Sequence, residues 1–198
     1  MITVFDTETT GFWDFKAPSE DPRQPRLVQL GAILCTDDFR RVGHIDVVVK
    51  PDGFEIPESA TKVHGITTND ALKFGVSRIT TLAMFAQFTA ISHTIMGWNC
   101  DYDSRVMGSE FLRCNLPKSP FSEKHKWRDL MKECTPVCKM PPTRPGQTEY
   151  KWPKLEEAHE FFFKTKMVGA HSALNDCFGT LKIAKELERL FPKEPKLL

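Results

Sequence analysis

Two acidic residues near the N-terminus have the type and spacing expected of a metal site. Asp6 and Glu8 lie in the segment Ile2–Thr10, which is rich in strand-forming residues and ends at Gly11. Side chains two residues apart on a strand project to the same side, so these carboxylates lie together. A divalent cation that prefers oxygen ligands, such as Mg²⁺ or Mn²⁺, would relieve their repulsion. An exposed edge strand with solvated acids would give the same short pattern.

Two further stretches contain acidic residues in a recognisable pattern. Gly-Trp-Asn-Cys-Asp-Tyr-Asp spans Gly97–Asp103, and His-Ser-Ala-Leu-Asn-Asp spans His171–Asp176. Together with Asp-Thr-Glu-Thr-Thr-Gly at Asp6–Gly11, they resemble motifs I, II and III of the DEDDh 3′→5′ exonucleases. This DnaQ-like group includes the proofreading subunits of bacterial replicative polymerases. His-Gly-Ile-Thr at His64–Thr67 extends the resemblance over nearly the whole chain.

The resemblance implies a catalytic set of four carboxylates and one histidine. Its members are Asp6, Glu8, Asp103, Asp176 and His171. The carboxylates would hold two divalent cations, Mg²⁺ or Mn²⁺, and the histidine would be the general base for the attacking water. The expected reaction releases nucleoside 5′-monophosphates from the 3′ end of single-stranded DNA.

The second motif contains two aspartates, so its register decides which of them is catalytic. In the family an aromatic residue precedes the catalytic aspartate, and therefore the pair Tyr102–Asp103 fits better than Asp101. The sequence predicts a strand over Thr94–Gly97 and a helix over Ser104–Arg113, which puts Asp103 at a helix start. A carboxylate is favourable there even without a catalytic role.

Four residues are expected to contact the substrate: Thr9, Phe12, His64 and Asn99. Phe12 follows the glycine of motif I, where the family carries an apolar residue against the 3′-terminal nucleotide. Aromatic stacking there would accept any base. A structural role is an open alternative for two of them, Phe12 as a core anchor of its loop and His64 as a helix-capping histidine.

The predicted elements favour a mixed α/β sheet. Strands at Leu27–Thr36 and Val42–Lys50 would continue the first strand as an antiparallel meander. Helices are predicted at Pro57–Ala60, Thr67–Leu72, 79–90, Ser104–Arg113, Lys126–Cys134, Leu155–Phe163 and His171–Phe191, and an irregular segment at Pro136–Pro153. The order suits a sheet covered by helices. The resemblance specifies an RNase H-like fold with helices on both faces, in one exonuclease domain over residues 1–198.

The composition of the chain indicates the cellular compartment of the protein. The 198 residues contain 40% hydrophobic and 27% charged residues, no apolar run long enough to span a membrane, and no N-terminal secretory pattern. The six cysteines form no Cys-x-x-Cys pair, so reduced structural thiols are a better interpretation than a zinc site at Cys134, Cys138 and His125. We therefore expect a cytoplasmic protein without a membrane partner.

Positive charge is concentrated in one part of the chain. Residues 113–154 contain ten Lys or Arg against four acidic residues, although the net charge of the whole chain is only +1. Such a segment could grip a nucleic-acid backbone beside the acidic centre. A solvated surface segment is an equal alternative.

The expected partner is a nucleic acid, with single-stranded DNA 3′ ends favoured. A polymerase or another replication or repair protein is a further candidate. Two rival functions are an RNA-directed 3′→5′ exoribonuclease of the same superfamily and a non-catalytic nucleic-acid-binding or polymerase-associated domain. The presence of all five active-site residue types favours an enzyme.

Overall fold

The computed structural model describes residues 1–116, 120–121, 123–144 and 146–192. Within these ranges five strands form one mixed sheet in the order β3-β2-β1-β4-β5. The strands are β1 Ile2–Thr9, β2 Leu27–Cys35, β3 Arg41–Val48, β4 Thr94–Gly97 and β5 Lys126–Asp129. β1, β2 and β3 form the predicted antiparallel meander, whereas β1, β4 and β5 pair in parallel. The central strand β1 thus carries the antiparallel half of the sheet on one side and the parallel half on the other.

Helices cover both faces of this sheet, as predicted. They are α1 Glu58–His64, α2 Thr68–Phe74, α3 Arg78–Ala90, α4 Cys100–Arg113, α5 Leu130–Cys138, α6 Leu155–Phe163 and α7 Ala173–Leu190. The even-numbered residues Ile2 and Val4 of β1 pack with α5, α6 and α7. Phe5 points the other way and packs with α3 and α4. The strand alternation therefore assigns each side chain of β1 to one helical layer.

A glycine sets the distance between α7 and the sheet. Gly31 lies opposite Asp6 in the β1–β2 register. A Cβ atom at Gly31 would lie only 2.3 Å from the carbonyl carbon of Ala173, the first residue of α7. The Cys177 thiol donates to the Gly31 carbonyl at 3.4 Å. The start of α7 is consequently held against β2, beside Asp6.

The helix predicted over Lys126–Cys134 is wrong in its first half. Lys126–Asp129 forms β5, and α5 begins only at Leu130. The sequence Lys-Trp-Arg-Asp has no apolar alternation, and its strand conformation comes from parallel pairing with β4. The irregular segment also starts later than predicted, because α5 continues through Pro136 to Cys138.

Two other sequence predictions need smaller corrections. α4 begins at Cys100 rather than at Ser104, so Asp103 lies within its first turn. The helix predicted over 79–90 is α3, in which the first predicted residue, Ile79, is 61% exposed, while Phe85 is fully buried. Lys118 of the predicted basic segment and Pro145 of the predicted irregular segment lie outside the described residues.

The described residues contain no helix long and apolar enough to cross a membrane. All six cysteines are free, and five of them are buried. Cys134 and Cys138 belong to the hydrophobic cluster under α7. His125 instead contacts the Thr89 carbonyl at 3.1 Å.

Candidate active site

Three carboxylates meet at the carboxyl end of β1. Asp6 and Glu8 continue the side of the strand that carries Ile2 and Val4, and therefore face the α7 layer. Asp176 reaches them from the first turn of α7. One ligand oxygen from each of the three residues lies within 4.8 Å of the others.

The fourth acid, Asp103, is held by Thr7, the residue between Asp6 and Glu8. Thr7 donates its backbone N–H at 2.9 Å and its hydroxyl at 2.6 Å to Asp103 Oδ1. Asp103 is 4% exposed and lies outside the group of three. Asp101 is exposed and paired with Arg105 at 2.9 Å. Of the two aspartates, only Asp103 is therefore held at the end of β1.

Burial raises the pKa of all four carboxylates, and repulsion between them adds to this effect at Asp6 and Glu8. Burial raises the pKa of Asp6 well above its usual value, and Asp103, Asp176 and Glu8 add to the effect. Burial, then Asp176 and Asp103, raise the pKa of Glu8 to about 7. Burial raises the pKa of Asp103 to about 7, although the hydrogen bonds from Thr7 lower it. Burial likewise raises the pKa of Asp176 to about 6.

The donor set fits a divalent metal ion. Asp176 Oδ1 is buried and has no hydrogen-bond partner among the described residues. A buried, unpaired carboxylate oxygen is costly unless a cation satisfies it. No lysine or arginine in the described ranges forms an ion pair with Asp6, Glu8 or Asp176. Because all the ligands are oxygen atoms, the site suits a hard cation.

His171 lies immediately before α7 in a left-handed conformation, with φ 65°. Its backbone forms a hydrogen bond with Asp176, which moderates the pKa of that acid. Its Nε2 atom lies 3.5 Å from Glu156 Oε1 at the start of α6. The histidine side chain is 54% exposed, so it can be approached by solvent beside the carboxylates.

Glu156 is a site neighbour that the sequence prediction missed. It also helps to raise the pKa of Asp176. Its sequence context gives no signal, since acids in the first turn of a helix are common for reasons of helix stability alone.

A cleft of about 420 Å³ adjoins the carboxylates. Its lining includes Glu8 and all four residues predicted to contact substrate: Thr9, Phe12, His64 and Asn99. Phe12 is 97% exposed. The alternative of Phe12 as a core anchor is therefore wrong, and Trp13, which is 7% exposed, packs into the core instead.

The orientation of His64 follows from one hydrogen bond. It ends α1, and its Nδ1 atom accepts the Ile66 N–H at 3.1 Å. Nε2 consequently carries the proton in the neutral ring. This atom is buried without a partner among the described residues, and burial lowers the pKa of His64.

Tyr102 supports the loop that carries Phe12. Its hydroxyl donates to the Gly11 carbonyl at 2.6 Å and lies 2.5 Å from the Thr9 hydroxyl. Burial raises the pKa of Tyr102 to about 12. The Tyr102 hydroxyl thus ties motif II to the end of motif I.

Part of the basic segment is internal and does not form a surface. Arg113 pairs with Glu110 at 2.9 Å. Arg128, which is 8% exposed, pairs with two glutamates on α5 and α7. Lys151 pairs with Glu157 at 2.5 Å. The predicted charge excess therefore overstates the positive charge available to a nucleic acid.

A family model described as RNase T, exonuclease, matches residues 3–184. The chain belongs to the RNase T exonuclease family. This assignment confirms the resemblance to the DEDDh exonucleases and the enzyme class, a nuclease hydrolase. Membership of this family also implies that the cofactor of the site is a divalent metal ion. No curated protein sequence matches the chain significantly.

Solved structures of exonuclease I share the fold of this family member. The zinc-bound E. coli ExoI–ssDNA complex has a TM-score of 0.76 and 21% identity, covering 96% of this chain and 41% of that one. E. coli exonuclease I with a dT13 oligonucleotide has a TM-score of 0.75 and 22% identity, covering 96% and 42%. The ExoI/SSB-Ct complex has a TM-score of 0.73 and 19% identity, covering 96% and 41%. The chain thus spans about two fifths of the exonuclease I chains, and the likeness confirms the RNase H-like fold.

Proposed function

We propose that this chain is a metal-dependent 3′→5′ exonuclease domain that releases nucleoside 5′-monophosphates from single-stranded DNA. The observation that carries the proposal is the group formed by Asp6, Glu8 and Asp176, whose ligand oxygens lie within 4.8 Å of one another. One buried and three half-buried acids with raised pKa values are unfavourable in a metal-free fold. A role in holding cations accounts for their position.

Each side chain has a defined part in this proposal. Asp6, Glu8, Asp103 and Asp176 would hold two divalent cations, Mg²⁺ or Mn²⁺, which would supply Lewis-acid stabilisation of charge on the phosphate. His171 would take the proton of the attacking water, and its side chain is exposed enough to meet that water.

The cleft supports a terminal nucleotide as the bound unit. Phe12 offers an exposed ring for stacking, and Asn99 and Thr9 line the same space. His64 lines the same space, with its Nε2 atom buried. The oligonucleotide complexes of exonuclease I support DNA as the substrate. Residues 1–198 would act as one domain.

Two further parts of the proposal concern cell biology. The free cysteines support a reducing compartment such as the cytoplasm. A polymerase or another replication or repair protein as partner stays a prediction.

End-labelled DNA and RNA of one sequence, incubated with Mg²⁺, with Mn²⁺ and with EDTA, test the function. We expect stepwise loss of 3′ nucleotides from single-stranded DNA with either metal and none in EDTA. A terminal 3′ phosphorothioate should protect the strand, whereas a 5′ one should not. Cleavage in EDTA would refute the metal role, and faster digestion of RNA would favour the exoribonuclease alternative. Binding without cleavage under all conditions would favour a non-catalytic domain.

A further inference from the structure

An exposed tryptophan lies next to the site on a segment that the proposed function does not use. Residues 150–154, Tyr-Lys-Trp-Pro-Lys, precede α6. Pro153 is buried, as is Leu155, the first residue of α6. Trp152 is 61% exposed, and Lys154 is exposed too. The segment therefore presents Tyr150, Trp152 and Lys154 to solvent, while Lys151 and Pro153 attach it to the protein.

Hydrogen bonds fix this segment to the cleft. The Trp98 indole donates to the Pro153 carbonyl at 3.2 Å. Trp98 directly precedes Asn99, which lines the cleft. The Lys151 N–H donates to the Met140 carbonyl at 3.1 Å, from the other side. The residue that follows Trp152 is consequently attached to the residue that precedes Asn99.

The segment is also linked to the proposed general base. Glu156, in the first turn of α6, lies 3.5 Å from His171 Nε2. Trp152 and Glu156 are four positions apart in the chain, which limits the distance between their Cα atoms to about 14 Å. An oligonucleotide whose terminal phosphate lies at the carboxylates could thus reach Trp152 with the nucleotides that follow.

The two lysines of the segment differ in a way that indicates the ligand. Lys151 is neutralised by Glu157 at 2.5 Å. The ammonium group of Lys154 forms no ion pair within the described ranges. An exposed indole beside an unpaired cation offers stacking for a base and a counter-charge for its phosphate.

We propose that Trp152 and Lys154 form a second nucleotide subsite. A base on the 5′ side of the scissile phosphate stacks on the indole, and a backbone phosphate pairs with Lys154. The occupant is unpaired DNA, because a base within a duplex does not expose its face. The inference rests on the proposed function and adds a second contact to the terminal nucleotide in the cleft.

Abasic substitution in the substrate tests the stacking directly. Oligo-dT of about twelve nucleotides would carry one abasic residue at the second, third or fourth position from the 3′ end, so that every phosphate is kept. Stacking worth about 1–3 kcal/mol per base predicts that one abasic position raises the wild-type KM about tenfold, with little change in kcat. Trp152→Ala should raise KM about tenfold on intact DNA. For this variant, the abasic residue at that position should cause no further rise in KM.

Matched variants separate the subsite from general effects. Phe191→Ala removes an equally exposed ring, 60% accessible, at the far end of α7, and should leave KM unchanged. Lys154→Gln should reduce the slope of log binding affinity against log salt concentration by about one phosphate contact. Lys151→Gln should leave this slope unchanged. Melting temperatures of all variants should match wild type within a few degrees, since these side chains lie outside the core.

Two readouts keep this inference separate from the proposed function. DNA binding is also measured by fluorescence anisotropy in an Asp176→Asn background. If wild type cleaves DNA but Trp152→Ala keeps the wild-type response to every abasic position, the subsite is wrong and the segment is better explained as a protein contact. If wild type cleaves nothing while Trp152→Ala still weakens binding, the subsite is supported and the exonuclease proposal fails.

Discussion

Raising the pH should destabilise the metal-free protein, and a divalent cation should reverse this effect. Burial, then Asp176 and Asp103, raise the pKa of Glu8 from 4.5 to about 7. The unfolded chain loses this proton near the ordinary value, whereas the folded protein keeps it up to about 7. The folded state therefore binds more protons than the unfolded state in this window, and linkage makes the free energy of unfolding fall as pH rises through it.

The size of the effect follows from the same values. The interval from 4.5 to about 7, at about 1.4 kcal/mol per pH unit, corresponds to about 3 kcal/mol for Glu8 alone. Burial raises the pKa of Asp103 to about 7 and that of Asp176 to about 6, so both act in the same direction. Coupled acids share their protons, and their contributions do not simply add. A loss of about 3 kcal/mol is large against a typical stability of about 5–15 kcal/mol.

Urea unfolding in EDTA between about pH 5 and about pH 8 measures this loss, and Mg²⁺ or Mn²⁺ at the upper pH should restore stability. Glu8→Gln should be more stable than wild type at about pH 8 in EDTA and should gain less from metal. Glu20→Gln, at an exposed position, serves as the control and should follow wild type. Stability that is flat or rises with pH in EDTA, or a Glu8→Gln variant weaker than wild type there, would refute the reasoning.

Three other predictions concern residues around the same site. His171→Ala should keep metal and DNA binding but lower the single-turnover rate by about 10²–10⁴-fold, and a near wild-type rate would remove the histidine from the general-base role. Gly31→Ala should displace the start of α7, cost about 1–3 kcal/mol in unfolding experiments and reduce cleavage, whereas Gly43→Ala, whose Cβ would meet its nearest atom at 3.7 Å, should not. Asp103→Asn should abolish cleavage while Asp101→Asn leaves it intact, and the opposite result in a nuclease assay would show that the motif register is wrong.

Local patterns were enough to predict much of the fold. The strand at the N-terminus and the last helix depend on neighbouring residues, and both are present as β1 and α7. β5 was missed because four mostly polar residues become a strand only by pairing with β4, which lies about thirty residues earlier in the chain. Helix α5 was cut short at Pro136, although a proline in the last turn costs only one backbone hydrogen bond at a helix end.

Long-range neighbours of the site were not predictable in the same way. Glu156 and Tyr102 act on His171 and on the Gly11 loop through contacts between distant parts of the chain. Nothing in the local sequence of Gly31 indicates that its missing side chain makes room for α7. Such contacts depend on the packing of segments that are distant in the chain. They leave no periodic pattern in the local sequence.

The sequence by itself determined the identities of the candidate catalytic residues, their order and the family they belong to, because these depend on residue type and spacing. Only the tertiary structure decided that ligand oxygens of Asp6, Glu8 and Asp176 meet within 4.8 Å, while Asp103 is held by hydrogen bonds from Thr7. It also decided that Phe12 is exposed, and that part of the basic segment is neutralised. The physical reason is that burial, pKa and charge pairing are set by which distant groups exclude water from one another, and only the folded arrangement defines these groups.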